Sequence, residues 1–178
     1  MRLRSWAGDL PEDLGTRDNR IARAYERGVP MGSDLNTTAA PRFWVWATQD
    51  PTGTPLDRIQ IIKGWVENGE QRQRVWDVVC SSGRKPNESG KCPATTASVD
   101  LSSCQRTGGE GARELEVTFS DPDFSAEYPA FYYARVLENP TCRWTTVLAN
   151  SGNTELPEDV PAIVQERGWS SPIWSASR

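Results

Sequence analysis

The chain contains no histidine. That absence removes the commonest general base and the commonest transition-metal ligand, and with them any Ser-His-Asp machinery. Serines are plentiful, but no Gly-x-Ser-x-Gly elbow occurs, so nucleophilic catalysis has neither its base nor its strained turn. Long apolar runs are missing as well. No stretch approaches the roughly 20 residues that span a bilayer, and Met1-Arg-Leu-Arg-Ser-Trp6 has no apolar core of the kind a signal peptide needs. Lys and Arg are scattered through a chain of net charge −4, which leaves no basic stripe for a phosphate backbone. Neither nucleic acid nor membrane insertion is expected.

What is present is a β-rich pattern. The 178 residues suffice for one core, with or without an attached arm. Residues 1–40 are polar and punctuated by Gly and Pro, with a short helix expected between Arg17 and Arg27 and turns over Gly28–Asp34. They read as an irregular N-terminal arm, or the remnant of a preceding domain. From Pro41 the texture changes. Strands are expected at Phe43–Thr48, Leu56–Val66, Gln73–Val79, Ser98–Leu101, Arg113–Phe119, Ala130–Leu137 and Ile173–Ser175. Asn68-Gly69 marks a tight hairpin, since both residues tolerate positive φ. Seven short strands with turns between them predict a mainly β, immunoglobulin- or fibronectin-like two-sheet sandwich over 41–178. Residues 156–167 contain Pro157, Pro161 and a stretch ended by Gly168, which predicts a short helical insert before the last strand. The loop-like composition of 81–97 makes it the expected flexible part.

Cysteines stand at Cys80, Cys92, Cys104 and Cys142. Their wide spacing is unlike a zinc knuckle, and an even set in a loop-rich β protein favours two disulfides and an oxidising compartment. In a sandwich whose connections alternate between its ends, Cys80 pairs with Cys92 and Cys104 with Cys142. Four cysteines allow three connectivities, and the other two stay open at this stage. Disulfides without a signal peptide are reconciled if the chain is the downstream part of a longer exported precursor, placing it in the periplasm or outside the cell.

Five blocks carry a resemblance. Gly28-Val-Pro-Met-Gly-Ser-Asp-Leu35, Asp50-Pro-Thr-Gly-Thr-Pro-Leu-Asp-Arg-Ile-Gln-Ile-Ile-Lys-Gly-Trp65, Ser120-Asp-Pro-Asp-Phe124, Ala130-Phe-Tyr-Tyr-Ala-Arg-Val-Leu-Glu138 and Gln165-Glu-Arg-Gly-Trp-Ser-Ser-Pro-Ile-Trp174 cover nearly the whole chain. In this order they resemble the carboxy-terminal part of a bacterial domain-of-unknown-function family, DUF3604. Full-length members resemble, upstream, the PHP-type metal-dependent phosphoesterases, and many carry export signals. The resemblance implies a partner: an N-terminal catalytic domain of the same parent protein. PHP sites gather several His and carboxylate ligands around two or three metals. With no histidine here, no ligand position transfers, and neither a catalytic residue, a metal nor a cofactor is expected in this chain.

Other residues can be weighed one at a time. Asp121-Pro-Asp-Phe-Ser-Ala-Glu127 alternates oxygen side chains as a calcium loop does, but lacks glycine at the sixth position and has Tyr132 at the twelfth, so a tight turn explains it better. Asp9, Glu12, Asp13 and Asp18 read as a solvated acidic segment. Asp34 follows a glycine in a turn, a place where backbone approaches a ligand closely. Of the eight tryptophans, Trp44 and Trp46 share one strand face. Trp65, Trp76 and Trp174 read as core, and Trp144 and Trp169 as surface aromatics.

The expectation is a non-catalytic accessory β-sandwich that completes and stabilises a PHP-like hydrolase, with Asp34, Trp144 and Trp169 as ligand or interface residues. A carbohydrate or cell-surface module using exposed aromatics and a hydrolase built on carboxylates alone are the alternatives.

Overall fold

The computed structural model describes residues 1–176. In chain order the strands are β1 (Arg2–Gly8), β2 (Gly28–Pro30), β3 (Asp34–Asn36), β4 (Arg42–Thr48), β5 (Leu56–Glu67), β6 (Glu70–Cys80), β7 (Ser98–Val99), β8 (Arg106–Thr107), β9 (Glu114–Ser120), β10 (Ala130–Glu138), β11 (Thr141–Cys142), β12 (Ile163–Val164), β13 (Arg167–Trp169) and β14 (Ile173–Ala176). Two helices join them, α1 (Arg20–Arg27) and α2 (Trp144–Gly152).

The mainly β reading holds, and the strands form two principal sheets. The antiparallel four-stranded sheet has the order β2-β1-β4-β9. The six-stranded sheet has the order β3-β14-β10-β5-β6, with β13 also paired to β10. Between them lies the main core. Phe43, Val45, Ala47 and Leu115 face Ile59, Ile61, Tyr132, Val136 and Ile173 across it. Strand alternation assigns these side chains, because Phe43, Val45 and Ala47 are every second residue of β4.

All seven expected strands are present. Ser98–Val99 forms a two-residue pair with β8 outside the two principal sheets. The hairpin between β5 and β6 closes on Asn68 (φ 53°) and Gly69 (φ 80°), with Glu67 paired to Glu70. That is the doubly positive backbone an Asn-Gly turn supplies.

Residues 1–40 are far less irregular than an arm. β1 is paired on both edges, to β2 and to β4, and β3 runs parallel to β14 at the edge of the other sheet. The first forty residues thus feed both sheets, and strand pairing crosses the expected boundary at residue 40. Their strands are short and carry charged residues on the outer face, as in Arg2-Leu-Arg-Ser-Trp6, which masks the alternation. The helical insert also sits elsewhere than expected. The helix precedes the Pro-rich stretch at Trp144–Gly152, whereas Ile163–Val164 and Arg167–Trp169 are extended.

Two disulfides close the loops, Cys80 to Cys92 and Cys104 to Cys142. Segment 81–97 has no regular structure, yet it is pinned. Arg84 donates to the carbonyls of Ser81 and Pro93 and, at 2.5 Å, to the buried Asp57 carboxylate. Asp77 accepts from the Cys92 amide at 2.8 Å.

Candidate functional site

The outer face of the four-stranded sheet is covered around Trp6 and Trp44. Trp6 and Trp44 are direct cross-strand partners, stacked with ring centroids 4.8 Å apart, and Trp46 continues the row 6.2 Å further on. The segment from Leu10 through α1 folds over this ladder, so that Trp6, Leu10, Leu14, Ala24 and Trp44 form a second small core. Glu116 accepts from the Trp44 indole N–H at 2.7 Å, Glu114 accepts from that of Trp46, and the Arg20 guanidinium lies 4.8 Å from the Trp46 ring. The fully buried Trp44 indole needs such an acceptor, whereas the buried Trp6 indole N–H has no partner among the described residues.

The outer face of the six-stranded sheet is open. One row across it reads Trp174, Phe131, Gly64, Gln73 on β14, β10, β5 and β6. Gly64 is required there. A Cβ would come within 2.3 Å of the Phe131 ring, so only glycine lets that ring lie flat on the β5 backbone. Tyr133 lies two residues on, nearly parallel to Phe131 at 11° and 6.3 Å, and Trp174 packs against Phe131 at 5.3 Å. These rings and the β6 glutamines Gln71 and Gln73 line a groove of about 740 Å³. Trp174 is 53% exposed.

Further along the same face the surface turns polar. Trp169 stands opposite Arg135. Arg135 donates to Gln60 at 2.6 Å and Gln60 to Asp77 at 2.5 Å.

At the other end of β10, α2 presents its apolar stripe outward. Trp144, Val147 and Leu148, at helical spacing, are 66%, 46% and 60% exposed, while Thr146 and Ala149 are buried. An ordinary surface helix has the reverse arrangement. Here Thr146 and Asn150 do the anchoring, donating to the Ala162 carbonyl at 2.8 Å and the Leu101 carbonyl at 2.7 Å.

The buried charges serve the fold. Lys63 meets Asp121 at 2.6 Å, and Asp121 also accepts from the Tyr132 hydroxyl at 2.8 Å and the Asp123 amide at 2.8 Å. Asp121 is therefore saturated by internal donors, as the turn reading of Asp121–Glu127 requires. Burial, reinforced by the hydrogen bond to Asp121 and that carboxylate's charge, pushes the Tyr132 hydroxyl well above the ordinary tyrosine range. In the N-terminal segment Asp13 pairs with Arg17 and Asp9 with Arg27 at the surface. Among the described residues, no three His, Cys, Asp or Glu side chains gather where they could hold a metal ion.

The residues singled out in the sequence fall in different places. Asp34 is exposed on β3 and pairs in register with Trp174, which brings it to the edge of the aromatic row. Trp169 is 56% exposed on the open face, and Trp144 is on α2 at the far end. Trp76 is buried and Trp65 half-buried, as strand residues should be. Trp174 is the correction: it lies in a strand but points outward, because Ile173 and Ser175 take the inner positions. Phe131, Tyr133 and Gly64 were not flagged from sequence. The signal that could have found them is the register, which sets an aromatic opposite a glycine.

No described helix is long and apolar enough to cross a membrane, and the two disulfides are compatible with an extracellular location. No curated protein and no solved structure matches the chain. The match that does exist is to a family model, and it runs through every strand of both sheets and both helices: over residues 1–177 the chain belongs to the family described as Protein of unknown function (DUF3604).

Proposed function

We propose that this chain is a non-catalytic accessory β-sandwich that completes and stabilises a larger, PHP-like metal-dependent hydrolase, working in the periplasm or outside the cell. The observation that carries the reading is the inverted α2. A helix that buries Thr146 and Ala149 while exposing Trp144, Val147 and Leu148 is shaped for a partner surface, since monomers seldom leave such patches uncovered. Leu101 and Ile163, both exposed on neighbouring segments, extend its apolar character. The module's role is to cover part of the catalytic domain and stiffen it, with the metal chemistry supplied by that domain.

The test begins with the genomic sequence immediately upstream of the Met1 codon. A coding stretch, in frame or shifted, with an export signal and histidine-rich metal motifs supports the reading. Its polypeptide should then bind this chain, and W144S/L148S should weaken the association by about tenfold or more. A promoter and ribosome site with no such stretch, or association indifferent to the α2 substitutions, contradicts it.

A further inference from the structure

The groove on the open sheet face lies at the end of β10 opposite α2, and the accessory reading does not use it. Its lining is divided by chemistry. One wall is aromatic, built from Trp174, Phe131 and Tyr133. The other is β6, where the Gln71 and Gln73 side chains have no hydrogen-bond partner among the described residues. Arg72, the charged residue among the described lining residues, is paired with Glu70 at 2.6 Å. Asp34 stands beyond Trp174 at the edge of the row.

This division selects a ligand class. An anion would find no unpaired cation among the described lining residues. A hydrocarbon chain would fill the aromatic wall but strip water from two amides without replacing their hydrogen bonds. A flat neutral molecule with apolar faces and hydroxyl edges satisfies both walls. A pyranose ring is such a molecule: its C–H faces lie on indole and phenyl rings, while its hydroxyls meet amide N–H and C=O groups, which donate and accept. The groove volume, about 740 Å³, lies in the range of small-molecule sites and accommodates a short chain of rings.

We propose that this groove is a binding site for a neutral oligosaccharide, stacked on Trp174 and Phe131 and hydrogen-bonded to Gln71, Gln73 and, at its edge, Asp34. Gly64 is then a specificity element, because it lowers the floor enough for the Phe131 ring to serve as a platform.

Calorimetric titration of the purified chain with cellohexaose, laminarihexaose and mannohexaose tests this, with hexaproline as a peptide probe. At least one of the sugars should bind saturably, and W174A should weaken that binding by about tenfold or more. Q73A, at an exposed strand position, should weaken it severalfold without changing the urea midpoint, which separates loss of binding from loss of fold. No binding of any of the three sugars at millimolar concentration overturns the proposal. So does affinity unchanged in both variants, or binding of hexaproline with none of the sugars.

Discussion

Trp6, Trp44 and Trp46 run along the outer face of the four-stranded sheet, and Trp174, Phe131 and Tyr133 lie across the outer face of the six-stranded one. The first row is roofed at Trp6 and Trp44 by the segment from Leu10 through α1, and the Trp44 and Trp46 indoles donate to Glu116 and Glu114. The second is half-exposed at Trp174, part-buried at Phe131 and Tyr133, and has unpaired glutamine amides beside it. Both rows are aromatic, so composition does not separate a core from a recognition surface. What separates them is whether the chain supplies a cover and whether the polar atoms at the row's edge are already used.

Truncating each row separates a covered ring from an open one. Trp44→Ala removes a fully buried ring and should cost about 3–5 kcal/mol in urea unfolding. Trp174→Ala removes a half-exposed one and should cost about 1 kcal/mol or less. Equal costs would mean that the open row is as much a core as the covered row.

A second effect of similar size lies between the sheets. Asp121→Asn leaves Lys63 buried without its counter-ion and should destabilise by about 3–5 kcal/mol. The prediction separates this internal pair from the surface pairs of the N-terminal segment. Asp13→Asn, at an exposed pair, should leave the urea midpoint nearly unchanged.

The disulfides rank next. Removing Cys104–Cys142, which spans 38 residues, should cost about 4 kcal/mol on the loop-entropy estimate. Removing Cys80–Cys92, which spans 12, should cost about 3 kcal/mol. Urea titration of the paired Cys→Ala variants measures both. The longer bridge ties the segments that flank α2, so its loss should also loosen the proposed docking stripe, whereas the aromatic groove should keep its ligand.

Alkali gives a smaller effect with a fixed sign. The Tyr132 hydroxyl titrates above the ordinary 10.0 of tyrosine when folded. Above that pH the unfolded chain has lost the proton that the folded chain retains. The contribution is therefore intact below about pH 10 and is lost as pH rises through the folded value. Tyr132→Phe should flatten the alkaline limb of a stability–pH curve, and a limb unchanged by the substitution would remove Tyr132 as its source.

Much of this architecture was legible in the sequence. Alternation in Phe43–Thr48 and Ala130–Leu137 marks β4 and β10 as strands, and Asn68-Gly69 marks the hairpin between β5 and β6. The limits were equally physical. β1 mixes arginines with Leu3 and Trp6, so a strand with two different outer environments shows no clean period. β3 and β13 have only three residues each, too short for a periodic signal, and take their form from neighbours already in place. The helix was misplaced because Trp144-Thr-Thr-Val147 carries β-branched residues of modest helix propensity, and tertiary anchoring of Thr146 and Asn150 overrides it. Trp174 was misread for a similar reason: a strand tryptophan has two faces available, and only the register shows which of them is covered.

Oxidative footprinting of the native chain, read tryptophan by tryptophan with mass spectrometry, tests the contrast between the two faces most directly. Trp144, Trp169 and Trp174 should be modified rapidly, with Trp6, Trp44 and Trp76 protected until the chain unfolds. Protection of Trp174 to the same degree as Trp44, or oxidation of both at one rate, would contradict this contrast.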